Sequence, residues 1–127
     1  MGEYFWLGVF TAMNTLLLTG LAVNVSRVRL RERVAHGDGG LLPLKKAIRA
    51  HGNGVEHLVV GGLQVLTLEL LGAPSIVLGL VVGVFTASRM LHAASMLGSF
   101  PRLRRLGAIG TYAIELAGGV AVVVCLL

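Results

Sequence analysis

The sequence predicts an all-α integral membrane protein: a four-transmembrane-helix bundle with both termini on the non-cytoplasmic side. Three observations predict it. Apolar residues make up 55% of the 127 residues and charged ones only 13%, whereas a soluble domain carries about a quarter charged residues. Four apolar stretches, at about 4–25, 47–71, 74–97 and 106–127, each have roughly the 20 residues that span a bilayer core. Of eleven Lys and Arg residues, seven (Arg27, Arg29, Arg31, Arg33, Lys45, Lys46 and Arg49) lie from the end of the first stretch to the start of the second, and three (Arg102, Arg104 and Arg105) lie between the last two.

The first stretch ends in "SRVRLRER" rather than at a small-residue cleavage site, so it reads as an anchor and not a signal peptide. The link near 72–75 carries no cation, nor does either end of the chain. With four spans, both basic segments fall on one side, which the positive-inside rule makes the cytoplasm. The spans use nearly the whole of residues 1–127, so a single membrane domain is expected. The net charge of +5 belongs to headgroup-facing loops, and no nucleic-acid partner is implied. The first loop, 26–46, is the only long one, with Gly39, Gly40 and Pro43 as turn signals. Gly61, Gly62, Gly79, Gly83, Gly118 and Gly119 suit close helix packing or an oligomer. Cys125 is alone and reads as a small apolar side chain.

Ionisable groups within a span are costly and face a bundle interior with a partner. The second stretch places Arg49, Asn53 and Glu56 within a narrow arc at about 100° per residue, with Gln64 and Thr67 on the same arc. Glu69 near the outer end can snorkel and is given no role, and His36 and His57 read as incidental. In the third stretch Arg89 and His92 are helical neighbours. Glu56, Arg89 and Glu115 each lie about ten residues from a basic edge, roughly 15 Å deep. Arg89, the one cation deep within the spans, is therefore expected to pair with Glu56, Glu115 or both, with Glu115 holding helices together.

Several chemistries fit poorly. His51 and His57 are six apart and no zinc signature is present, so no metal is expected. The only aspartate is Asp38 in the loop, which leaves no Ser-His-Asp triad. A short four-span chain is similar to the small proton-coupled multidrug transporters, but the first span holds no acid after Glu3. The set of cations at the cytoplasmic edge, an amide and a carboxylate instead suits a charged, peptide-like ligand entering from that side, because arginine binds carboxylates in bidentate fashion.

The same residues carry a family resemblance. "RAHGNGVE" at 49–56 fits the R-x-H-x-N-x-x-E signature of the MAPEG proteins, the membrane-associated proteins in eicosanoid and glutathione metabolism. "VRLRER" resembles their basic exit from helix one, "SRMLH" at 88–92 their R-x-x-H in helix three, and the basic run at 102–105 opens helix four. The resemblance covers nearly the whole chain and is nearest to small bacterial members, which implies a bacterial inner membrane. It implies a homotrimer that binds glutathione, as co-substrate, between neighbouring subunits near the cytoplasmic face. By that resemblance Arg29, Arg49, Asn53 and Glu56 contact glutathione, and Arg89 and His92 support the site. Arg105, or failing it Arg104, activates the thiol. The implied activity is that of a glutathione transferase or peroxidase on a lipophilic electrophile. A cation lowers a thiol pKa, and the thiolate is the nucleophile.

Three positions depart from the pattern of some family enzymes. Met96 stands where they have a tyrosine, Gly52 where they have an arginine, and Leu106 where a serine can follow the helix-four arginine. These departures bear on the catalytic step more than on binding. A non-catalytic binding protein of the same fold is the alternative, with a small transporter behind it.

Overall fold

The computed structural model describes residues 3–127 and consists of four helices: α1 (Phe5–Glu32), α2 (Leu42–Leu70), α3 (Ser75–Gly98) and α4 (Pro101–Leu126). By length and composition α1, α3 and α4 are apolar enough to cross a membrane. α2 is 29 residues long, and Asn53, Glu56, His57 and Gln64 interrupt its apolar run. Its position suits that composition. α2 and α3 form the middle of the bundle and each touches every other helix, while α1 and α4 flank them without meeting.

The helices run past the predicted apolar stretches at their basic ends. α1, at 28 residues, is roughly 42 Å long, against a hydrocarbon core of about 30 Å. Arginine and lysine are good helix formers, so α1 continues through its basic exit to Glu32, and the loop shrinks to 33–41. Pro43 is not part of the turn. It lies in the first turn of α2, where a missing N–H costs nothing. The turn is made by Gly37, Gly39 and Gly40, all at positive φ. α3 ends at Ser99 in the left-handed conformation, with Phe100 N–H donating to Ser95 O at 2.9 Å, and Pro101 starts α4 at once.

Small residues set the helix spacing. A Cβ on Gly61 would lie 2.6 Å from the Phe85 ring, and one on Gly118 would lie 2.8 Å from the Gln64 carboxamide oxygen. Gly79 faces Trp6, whereas Gly83 has open space beside it. The apolar core gathers Phe10, Val65, Leu68, Leu78, Val82 and Phe85. Asn14 is buried within α1 and donates through Nδ2 to Phe10 O (2.9 Å) and Thr86 Oγ1 (3.1 Å), linking α1 to α3.

Two polar residues have clear structural roles that their sequence positions did not suggest. Glu69, near the C-terminal end of α2, accepts from the backbone N–H groups of Trp6 (2.7 Å) and Leu7 (3.0 Å). α1 has no side-chain cap of its own, so the carboxylate satisfies two of its free amides from a neighbouring helix. His57 Nδ1 meets Glu115 Oε1 at 2.8 Å, joining α2 to α4, and Gln64 Nε2 donates to Glu115 O at 2.6 Å. The expected pairing of Arg89 with Glu56 or Glu115 is therefore corrected: Glu115 pairs with His57, and Glu56 makes no ion pair among the described residues.

Candidate functional site

The α2 polar arc divides between two environments, for a geometric reason. His57 lies about 40° from Asn53 toward the buried face, and Glu56 about 60° the other way. Asn53 and His57 thus turn toward α3 and α4, while Arg49 and Glu56 are both exposed on the single chain.

Arg89 sits at the centre, 2% exposed. Its Nη2 donates to Asn53 Oδ1 at 2.7 Å and lies 3.3 Å from His92 Nδ1. Its Nη1 makes a long 3.4 Å contact with Thr111 Oγ1, and its Nε has no partner among the described residues. Thr111 in turn donates to Gly107 O at 2.9 Å. Gly107 lets α4 reach this centre, since a Cβ there would stand 2.7 Å from the backbone nitrogen of His92.

Outside this centre lies an open cavity of about 250 Å³, lined by three helices. Arg49 and Asn53 come from α2, His92 and Met96 from α3, and Arg104, Arg105 and Ala108 from α4. The structure thus brings together five of the eight residues singled out in the sequence, with Arg89 directly behind them. Two stay apart within one chain. Arg29 folds back to donate to Gly37 O at 2.8 Å, and it lines a different cavity of about 540 Å³ at the loop. Glu56 is exposed, one turn deeper than Asn53, and does not line the cavity.

The electrostatics of the cavity point one way. Three guanidinium groups, Arg49, Arg104 and Arg105, share a wall that holds no carboxylate, and none of them makes a side-chain hydrogen bond or ion pair among the described residues. Arginines gathered without a counter-charge suit a carboxylate or thiolate. No group of three or more potential metal ligands occurs among the described residues.

Comparison with known proteins agrees with the motifs. The profile of the MAPEG family matches residues 7–124. The chain belongs to the MAPEG family. It is also 34% identical over 104 residues to the inner membrane protein YecN of Escherichia coli strain K12, a match covering 82% of this chain and 79% of that protein. The YecN protein of Escherichia coli O6:H1 strain CFT073 matches to the same extent. The MAPEG signature at 49–56 and the R-x-x-H at 89–92 both fall within the matched segment and supply Arg49, Asn53 and His92 to the cavity. Met96, the residue standing where some MAPEG enzymes have a tyrosine, forms part of the wall. As a MAPEG protein with three helices apolar enough to cross a bilayer, the chain is a membrane protein.

His57 and Glu69 were the residues missed in the sequence. The signal for His57 was its i+4 relation to Asn53, which extends the arc toward the buried face. The signal for Glu69 was an acid near the level where the adjoining antiparallel helix begins, uncapped.

Proposed function

We propose that this chain is a glutathione-binding membrane protein that acts as a glutathione transferase or peroxidase-like enzyme on a lipophilic electrophile. The observation that carries the reading is the convergence of Arg49, Arg104 and Arg105 with Asn53 and His92 on one cavity without a carboxylate. α2 serves as a fourth span, its polar side covered by α3 and α4. The basic ends face the cytoplasm and both termini face away from it. The name of the Escherichia coli relative supports a bacterial inner membrane.

The working unit is a homotrimer with glutathione between neighbours. That arrangement gives a role to the residues a single chain leaves out. Exposed Glu56 becomes available to the ligand's ammonium group at the subunit boundary, and Arg29 adds a cation from the loop side. The carboxylates of glutathione engage Arg49 and its neighbours. Arg105, or Arg104 beside it, lies against the sulfur and favours the thiolate. The thiol proton leaves to water. The sulfur forms a bond to the electrophilic carbon, and the leaving group departs with its electron pair.

The test follows the thiolate absorbance of glutathione bound to the detergent-purified protein, with Arg105→Ala and Arg104→Ala alongside. A bound thiol that ionises at lower pH than free glutathione, and loses this in one of the variants, supports thiolate attack. Met96 favours the second reading, a binding-only protein, because it puts a thioether where a hydroxyl would stand. A bound thiol with unshifted ionisation and no turnover of a lipophilic aryl halide would select that reading.

A further inference from the structure

We propose that Arg89 is a positioning residue that gives the cavity a single hydrogen-bonding polarity. By donating to Asn53 and His92 from inside the bundle, it leaves both presenting N–H groups outward, so the cavity takes an anionic group and rejects an amine. The inference deepens the glutathione reading and rests on it for the identity of the ligand.

A guanidinium has donors and no acceptor, so it dictates the chemistry of whatever faces it. Arg89 Nη2 carries two hydrogens and has two neighbours, Asn53 at 2.7 Å and His92 Nδ1 at 3.3 Å. The carboxamide atom facing it must be the oxygen. The amide nitrogen diverges from that oxygen and makes no hydrogen bond among the described residues, while Asn53 itself lines the cavity. The same constraint fixes His92. If Nδ1 accepts, the neutral ring carries its proton on Nε2, and His92 lines the cavity as well. Together with Arg49, Arg104 and Arg105, every polar side chain on the wall is then a donor. The two acids nearest in depth do not spoil this: Glu115 is engaged by His57, and Glu56 lies outside the wall.

The identity of residue 89 matters for the same reason. A glutamine could donate or accept and would tolerate either orientation of the Asn53 amide, whereas arginine tolerates one. The arrangement also leaves Arg89 buried with no carboxylate partner among the described residues, a costly state that an anion in the cavity relieves. Ligand binding is therefore expected to raise thermal stability.

The test uses the full chain in detergent with ¹⁵N-labelled histidine, His92 being assigned by loss of its signals in His92→Gln. The expected result is the Nε2–H tautomer in the wild type, its retention in Arg89→Lys, and a tautomer mixture in Arg89→Met. A wild-type His92 protonated on Nδ1, or a mixture there, overturns the proposal, and that readout survives even if Arg89→Met fails to fold. The second arm is Asn53→Asp measured with glutathione. This change keeps an oxygen toward Arg89 and adds an ion pair, so thermal stability holds or rises. It also replaces the outward donor with an acceptor, so affinity falls by about tenfold or more. Undiminished affinity in Asn53→Asp overturns the proposal. If the wild type binds no glutathione, the ligand reading fails, and the His92 tautomer alone decides the role of Arg89.

Discussion

His57 Nδ1 and Glu115 Oε1 meet at 2.8 Å between α2 and α4, with both side chains 15% exposed. Each group is tolerable there because of the other. Replacing His57 by leucine leaves a largely buried carboxylate without its partner, and a loss of about 3 kcal/mol is expected. The double replacement His57→Leu with Glu115→Leu removes both groups and should recover most of that loss. Unfolding in detergent followed by circular dichroism measures the cycle, and additive single losses would show that the pair carries no coupling.

Glu69 closes the N-terminal end of α1 by holding the amides of Trp6 and Leu7. Glu69→Gln keeps one acceptor oxygen but loses the charge facing the α1 dipole, at an expected cost of about 0.5 kcal/mol. Glu69→Ala removes the cap altogether and should cost about 1–2 kcal/mol. Amide hydrogen exchange gives the local readout. The Trp6 and Leu7 amides should exchange faster in both variants, and more so in Glu69→Ala, while amides at the basic ends stay unchanged.

Gly107 admits α4 to the His92 backbone. A methyl group there meets backbone atoms that cannot rotate away, so Gly107→Ala should destabilise by about 1–3 kcal/mol. It should also shift Arg104 and Arg105 away from His92 and weaken ligand binding. Gly52, where a methyl group would meet nothing within 4 Å, is the control. Gly52→Ala should raise stability slightly through helix propensity, and a large loss there would contradict the packing described.

The helix count, the order of the elements and the grouping of the basic ends were legible in the sequence, because apolar length and cation placement are properties of single segments. Most of the cavity was legible too: the signature carries Arg49 and Asn53, the helix-three R-x-x-H carries His92, and the basic run that opens helix four carries Arg104 and Arg105. The pairing of charges was not. A helical wheel places Glu56 and Asn53 on one arc, but it does not say where the arc's edge meets α3 and α4. A rotation of tens of degrees decides that Asn53 faces Arg89 while Glu56 faces outward. The depth argument put Arg89 level with Glu115 yet carried no information on the competing His57, one residue beyond Glu56. α1 and α2 run beyond the apolar stretches because apolar length marks the span and not the helix: "SRVRLRE" is outside the one and inside the other.

The central claim is that the arginine-rich cavity binds glutathione. The most direct test is calorimetric titration of glutathione into the detergent-purified protein, with Arg49→Ala and Glu56→Gln beside it and the oligomeric state checked for each. The account predicts binding by the wild type and a loss of about tenfold or more in both variants, with the oligomer intact. A well-folded wild type that binds no glutathione, or variants that bind it unchanged, would contradict it.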